Sequence, residues 1–419
     1  MARNEWPQLP LAELTVNFDS IRVPVKSSER KSGPYPYYGA SGVVDHVDGY
    51  LFDGEYLLIA EDGENLRTRQ TPIAFAATGK FWVNNHAHIV RGNDRANTRF
   101  LMYALAQTDI SGYLSGSTMP KLTQGSMNRI RVIAPSRPIQ DRIVDILSAL
   151  DDKIELNRRM NETLESMARA LFRSWFIDFD PVRAKAAGRK PPGLDPAVAK
   201  LFPKEFETSL LGKIPAGWKV AKLAEHVEAV KGLSYKGEGL ADSGVPLHNL
   251  NSVREGGGYK FEGLKRYTGE FRERHAIHPG DLIVTNTEQG HDCLLIGYAA
   301  IVPKSFGDTG IYSHHLYRVR VLKGSPTTPD FLCELLNSPR MHDVVSGYGN
   351  GTTVNMLPAD GLQQPEFVVP PAELIARYSD FAKSARLRKE ELVAESKALA
   401  ATRDALLPKL LSGELRVGA

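Results

Sequence analysis

The chain has 419 residues, 52 lysines and arginines against 49 aspartates and glutamates, and a formal charge of +3. At roughly 150 residues per domain this means two to four domains, with length enough for real cores without disulfide staples. Two cysteines, Cys293 and Cys333, exclude a disulfide framework and a cysteine-based zinc site. No apolar run is long enough to span a membrane and no signal core opens the chain, so a cytoplasmic setting is expected.

Up to residue 137 the signals are those of strands and turns, with Phe81-Trp82-Val83 a β-type run and a short helix predicted over 98–108. Residues 138–176 contain no glycine and no proline after Pro138. Apolar residues fall at Ile139, Ile143, Ile146, Leu147, Leu150, Ile154, Met160, Leu164, Met167, Leu171 and Trp175; steps of three and four recur, which predicts one helix of about 58 Å with an apolar stripe. Residues 177–213 form a Pro-rich connector with aromatic anchors, predicted to pack as a strap. Strand and turn signals return over 214–370, with Leu282-Ile283-Val284, a turn at Gly256-Gly257-Gly258 and a helix predicted over 328–337. A second long helix is predicted over 371–411, its stripe running less regularly from Leu374 through Tyr378 and Leu392 to Leu410. Pro408 should kink or stop it near its end, before a tail at 412–419.

The chain repeats itself. Gly116-Ser117-Thr118 through Pro135 aligns with Gly351-Thr352-Thr353 through Pro370 at a constant offset, 351 − 116 = 235. Upstream the offset drifts. Phe100 pairs with Phe331, Gly54-Glu55-Tyr56-Leu57 with Gly280-Asp281-Leu282-Ile283, and Trp6 with Trp218, so the second copy carries extra loop. Two copies, each ending in a long striped helix, suggest an α+β fold: two α/β domains separated by two antiparallel helices in a coiled coil, with internal pseudo-two-fold symmetry. The alternative is two helices that each lie on their own domain.

No phosphate loop, dinucleotide fingerprint, H-E-x-x-H or G-x-S-x-G elbow is present, so no catalytic residue and no metal ligand set is assigned. Asp151-Asp152-Lys153 reads as a solvated helix face. His86 and His88 alternate, which puts both on one face of a strand, and His314-His315 stands at the corresponding place. The turn-rich parts carry groups suited to phosphates and base edges. In the first copy these are Tyr35, Tyr37, Tyr38, Lys80, Asn84, Asn85, His86, Ser117, Thr118 and Lys121. In the second they are Lys231, Tyr235, Lys236, Arg274, Asn286, Gln289, His291, His314, His315, Asn350, Thr352, Thr353 and Asn355. Glu55, Glu61, Asp62 and Glu64 read as acidic surface elsewhere. Two related readers at the ends of a helical spacer would suit double-stranded DNA with two separated half-sites.

Three stretches carry a family resemblance: Ser174-Trp175-Phe176-Ile177-Asp178-Phe179-Asp180-Pro181-Val182, Ile214-Pro215-Ala216-Gly217-Trp218, and Leu406-Leu407-Pro408-Lys409-Leu410-Leu411-Ser412-Gly413-Glu414-Leu415. With Pro34-Tyr35-Pro36-Tyr37-Tyr38-Gly39-Ala40-Ser41-Gly42 added, the chain resembles the specificity (S) subunit of type I restriction–modification systems over nearly its whole length. The resemblance implies a non-catalytic subunit whose two target-recognition domains read a bipartite asymmetric site. It implies two modification subunits, which use S-adenosylmethionine for adenine-N6 methylation, and two ATP- and Mg-dependent restriction subunits. It also implies that the helices and connector dock the modification subunits. Trp175, Phe176 and Phe179 are candidate anchors there, with burial inside this chain the alternative.

Overall fold

The computed structural model describes residues 6–289, 294–351 and 354–417. It divides into two compact units: the chain up to Leu156 together with the part from Ser396 onward, and the continuous stretch Asn157–Glu395.

The first unit is built on a six-stranded sheet in the order Thr15–Asn17, Ala87–Gly92, Phe52–Ala60, Ala74–Val83, Ser32–Gly39 and Gly42–Val47. Leu57 and Ile59 bury one face against Phe100, Leu101 and Leu105 of the helix Thr98–Gln107. Leu58, one residue out of phase, faces Phe52, Phe81 and Ile89 on the other side. Burial on both faces explains the unbroken apolar run Leu57-Leu58-Ile59-Ala60. Asn97 starts the helix by accepting hydrogen bonds from the amides of Arg99 and Phe100.

The second unit repeats this plan. Val227–Lys231, Leu316–Val321, Leu282–Thr285 and Ala299–Ile301 form a four-stranded sheet, under the helix Pro329–Asn337 capped by Thr328. The registers match those of the first unit. Gln8 opposes Ile133 as Val220 opposes Val368, and Thr15 opposes Gly92 as Val227 opposes Val321.

Register also corrects the sequence alignment of the central strand. Leu57 opposes Val90 and Leu282 opposes Val319, so Leu57 corresponds to Leu282 (282 − 57 = 225), not to Ile283. The slip of one residue matters because it exchanges the two faces of the strand. The parallel pairs Tyr37–Trp82 and Leu247–Ile311 give a smaller offset, 247 − 37 = 210. The extra 225 − 210 = 15 residues therefore enter between Leu247 and Leu282. Part of that insertion forms the strand Lys265–Tyr267 within a second, five-stranded sheet.

The long helices are Arg137–Phe172 and Ala372–Leu411. The first ends in a π-turn at Arg173–Ile177, and Phe179 then takes a left-handed conformation (φ 55°). The second runs through Pro408 for three more residues; so close to a helix end, a proline forfeits only its own amide bond. In the first unit Asp151 meets Arg403 at 2.7 Å. In the second, Asn157 bonds Glu395 at 3.0 Å, Glu165 pairs with Lys389, and the rings of Phe172 and Tyr378 lie 5.3 Å apart. Rising numbers on one helix meet falling numbers on the other, so the pairing is antiparallel. The stripe is buried toward both ends, at Ile143, Leu147 and Phe172, but between Leu147 and Ala168 only Asn157 is buried. Asp151 is not the solvated residue expected: it takes the Tyr103 hydroxyl (2.5 Å) as well as Arg403. No helix among the described residues is long and apolar enough to cross a membrane.

Candidate nucleic-acid interface

Both units carry the same loop beside the sheet. In the first, Ser115 and Lys121 exchange two backbone hydrogen bonds (2.9 and 2.7 Å); in the second, Asn350 and Met356 do so (3.0 and 2.8 Å). The glycine in each is required. A Cβ on Gly116 (φ 86°) would lie 2.2 Å from the Met119 carbonyl oxygen, and one on Gly351 (φ 144°) 2.1 Å from that of Val354. This explains the repeated glycine of Gly-[Ser/Thr]-Thr: it builds the loop in both units. Ser117 and Thr118 are exposed there. Thr352 and Thr353 lie outside the described residues, as does His291.

Each loop is tied to the turn that precedes the strand Ala87–Gly92 or Leu316–Val321. Glu61 donates its amide to the His86 carbonyl (2.9 Å) and accepts from the Leu122 amide (2.7 Å). Asn286 does the same with His315 (3.0 Å) and Leu357 (2.8 Å). The junction thus brings together Asn84, Asn85, His86 and Lys121 in one unit, and His314, His315, Asn350 and Asn355 in the other. Gln289 belongs to the strand Thr287–Gln289, which pairs with Val354–Met356.

The side chains at the two junctions differ. In the first, His86 bonds Asp62 (2.8 Å), Lys121 reaches Glu61 (3.4 Å) and Arg22 pairs with Glu61 (2.8 Å). Beneath them His88, on the strand and buried, bonds Asp19 through Nδ1 (2.6 Å) and the Leu122 carbonyl through Nε2 (2.8 Å). Both partners are acceptors, so both ring nitrogens donate and the imidazole is charged. Burial works against that charge, but the hydrogen bonds to Asp19 and Leu122 outweigh it and raise the His88 pKa. Burial likewise opposes the Asp19 carboxylate, and the bonds from His88 and the Ile89 amide overcome it and lower its pKa. Glu61 and Asp62, expected as remote acidic surface, therefore stand inside the site. His86 lies in the turn, not on the strand face shared with His88.

The second junction has uncharged side chains at the equivalent places. Tyr317 replaces His88 and donates to the Leu357 carbonyl (3.0 Å); Thr287 bonds His315 (2.7 Å) and Asn286 donates to the His314 carbonyl (3.1 Å). Burial, then His314, Lys231 and Lys265, hold the His315 pKa down.

The remaining predicted contacts separate into exposed and buried groups. Tyr35 packs on Tyr50 (5.1 Å), and Lys80 lies over the Tyr50 ring (4.6 Å), an exposed patch in which sequence reasoning missed Tyr50. Lys231, Lys236 and Arg274 are exposed, and Tyr235 stacks edge-on against Tyr267. Tyr37, by contrast, is fully buried with its hydroxyl on the Val25 amide (3.0 Å), and Tyr38 packs on Phe75 and Phe81. Asn286 is buried beneath its turn. These side chains hold the loops rather than face a ligand. Trp175, Phe176 and Phe179 are buried in the chain's own core with Phe202, Trp218 and Phe331, because the connector folds back over the helix end. They are internal anchors.

The model of the family described as Type I restriction modification DNA specificity domain matches residues 5–166. S.HindORF215P of Haemophilus influenzae, named for a type I restriction enzyme specificity subunit, is 42% identical over 146 residues. That stretch is 35% of this chain and 37% of that protein, well under two thirds of its length. The type I restriction enzyme HindI specificity subunit of the same organism is 25% identical, over 87% of this chain and 84% of that one. Among solved structures, the type I restriction–modification S subunit from M. genitalium shares the fold. Its TM-score is 0.62 at 13% identity, covering 98% of this chain and 97% of that one.

Proposed function

We propose that the chain is a specificity subunit of the type I restriction–modification kind, the DNA-reading subunit of such a complex and non-catalytic itself; the family match over residues 5–166 and the similarity to the HindI specificity subunit over most of both chains support this reading. Each junction with its loop reads one half of a bipartite asymmetric site, and the long helices set the spacing. The observation that carries this reading is one backbone loop built twice with different side chains around it: two readers of one design and unlike chemistry. Exposed Lys80, Lys121, Lys231 and Arg274 would meet phosphates, and the loop tips base edges. Two modification subunits, using S-adenosylmethionine, methylate adenine, and two restriction subunits use ATP and Mg; the complex works in the cytoplasm.

Methylome sequencing of a host expressing this chain with its modification subunit tests the proposal. Adenine methylation at a two-part asymmetric motif is expected, and a continuous palindrome would refute two unlike readers. The chain alone should methylate nothing. Its affinity for duplex DNA should fall with salt at a log–log slope of several units.

A further inference from the structure

One cavity shares no residue with either junction. It lies wholly within the second unit and has a volume of about 100 Å³. The helix Pro329–Asn337 and both long helices contribute to its walls. Leu164, Ala168, Ile301, Ala382 and the rings of Tyr259 and Phe261 give it apolar sides. A cavity of about 150 Å³ takes a benzene-sized molecule, so this one suits a body of about four to six carbons.

Charged groups line it too, and nearly all of the carboxylates are matched. Glu165 pairs with Lys389 and, at 2.5 Å, with Arg254. Asp330 bonds Arg386 (3.0 Å), which also reaches Glu390 (3.2 Å), and Glu390 accepts from the Lys304 amide (2.8 Å). Glu334 is different. It lines the cavity, yet among the described residues it accepts no hydrogen bond and makes no ion pair. Burial pushes its carboxyl up to about 7; Arg169 opposes this, Glu165 and Asp330 add to it, and Lys389 opposes it. A carboxylate left so is costly, and a donor brought to it recovers the cost.

An incoming anion would find Arg254, Arg386 and Lys389 already matched, and Arg169 exposed to water. An ammonium group would find Glu334 open, while its carbon chain covers the apolar sides. Water alone suits these walls poorly, because each buried molecule wants about two to four polar partners. We propose that this cavity binds a small alkylammonium ion, with Glu334 as its counter-charge and the ring-lined sides as the seat of its carbon chain. Three helices meet there, so an occupant ties them together and raises the melting temperature. The proposal does not depend on the family reading.

The probe is isobutylammonium, with isobutanol and isobutyrate as its neutral and anionic matches, each titrated into the full chain and followed by ligand-observed NMR. For so small a molecule binding is expected at millimolar concentration. At pH 8 isobutylammonium should bind at least tenfold more tightly than either match. Protonation of Glu334 removes the counter-charge, so this affinity should fall about tenfold between pH 8 and pH 6, while that of isobutanol should stay constant. Glu334→Gln keeps the shape of the wall and should not lower the melting temperature; it should abolish both the preference and its pH dependence. Failure of isobutylammonium to bind the unaltered chain would mean that the cavity holds water only, and the proposal falls. Equal binding of isobutanol would show that the apolar sides alone select the occupant, which also overturns it. Unweakened binding to the Glu334→Gln chain, or an affinity indifferent to pH, would place the ammonium at another carboxylate and overturn the site.

Discussion

The junction of the first unit has ion pairs where that of the second has uncharged groups, yet both hang on the same backbone bonds. His88 and Tyr317 occupy equivalent places (317 − 88 = 229) and hold the same carbonyl, that of Leu122 or Leu357. A charged imidazole needs a counterion, and Asp19, Arg22 and Glu61 gather around His88; a phenol needs none. The frame of the loop is therefore set by backbone geometry, while the polarity beneath it is free to vary.

The largest test of that contrast is Asp19→Ala. It strands a buried imidazolium and should cost the chain about 3 kcal/mol or more in denaturant unfolding. Tyr317→Phe in the other junction removes one neutral hydrogen bond. Equal losses from the two would end the distinction. Between them in size stand Gly116→Ala and Gly351→Ala, each forcing a Cβ onto a carbonyl. Both should destabilise by about 1–3 kcal/mol and to a similar degree, since the loops share their backbone; a large difference would mean that the frames are not alike. Tyr317→Phe itself should cost about 1 kcal/mol, measured in the same way.

The smallest effect is the most discriminating, because its sign differs between copies. The raised pKa of His88 makes its contribution complete below about pH 6.5 and lost as pH rises through its folded value. The lowered pKa of Asp19 keeps its own contribution in place until far more acid conditions. His315 is depressed, so its junction is fully stable above about pH 6.5 and weakens as pH falls through the folded value. Buried His248, pushed down to about 4, acts in the same direction. Between pH 8 and pH 6, the protection of the Leu122 and Leu357 amides, taken after removing the intrinsic pH dependence of exchange, should therefore shift in opposite senses. A common shift would show that the two histidines do not govern their loops.

Much of this architecture could be read from the sequence because helices and repeats leave periodic marks. The stripe from Ile139 to Leu171 lies in one helix, and the offset of 235 joins residues that make equivalent hydrogen bonds in the two units. What escaped reading depends on the third dimension. The glycine matches Gly54–Gly280 drew the central strand one residue out of register, and only pairing partners could correct it. Tyr35 and Tyr37 stand two residues apart on one strand and so share a face; they look equally available, yet Tyr37 is fully buried while Tyr35, near the start of the strand, stays partly exposed, a difference that alternation does not encode. Trp175 and Phe179 invited a partner, and the connector already supplies one in Phe202 and Trp218. Arg22, Asp19 and Glu61 carry no motif; their meeting depends on bringing 19–22 beside 61 and 88.

The division of the chain also has a consequence for its synthesis. The second unit is continuous, but the first keeps Leu407, Leu410 and Leu411 in the core that holds Ile143, Val144 and Leu147. A ribosome that has finished Leu156 must add 395 − 156 = 239 residues before that unit's next segment begins. At roughly 5–20 residues per second this is about 12–48 s. The part made first is completed last, and for that interval its apolar helix face waits uncovered.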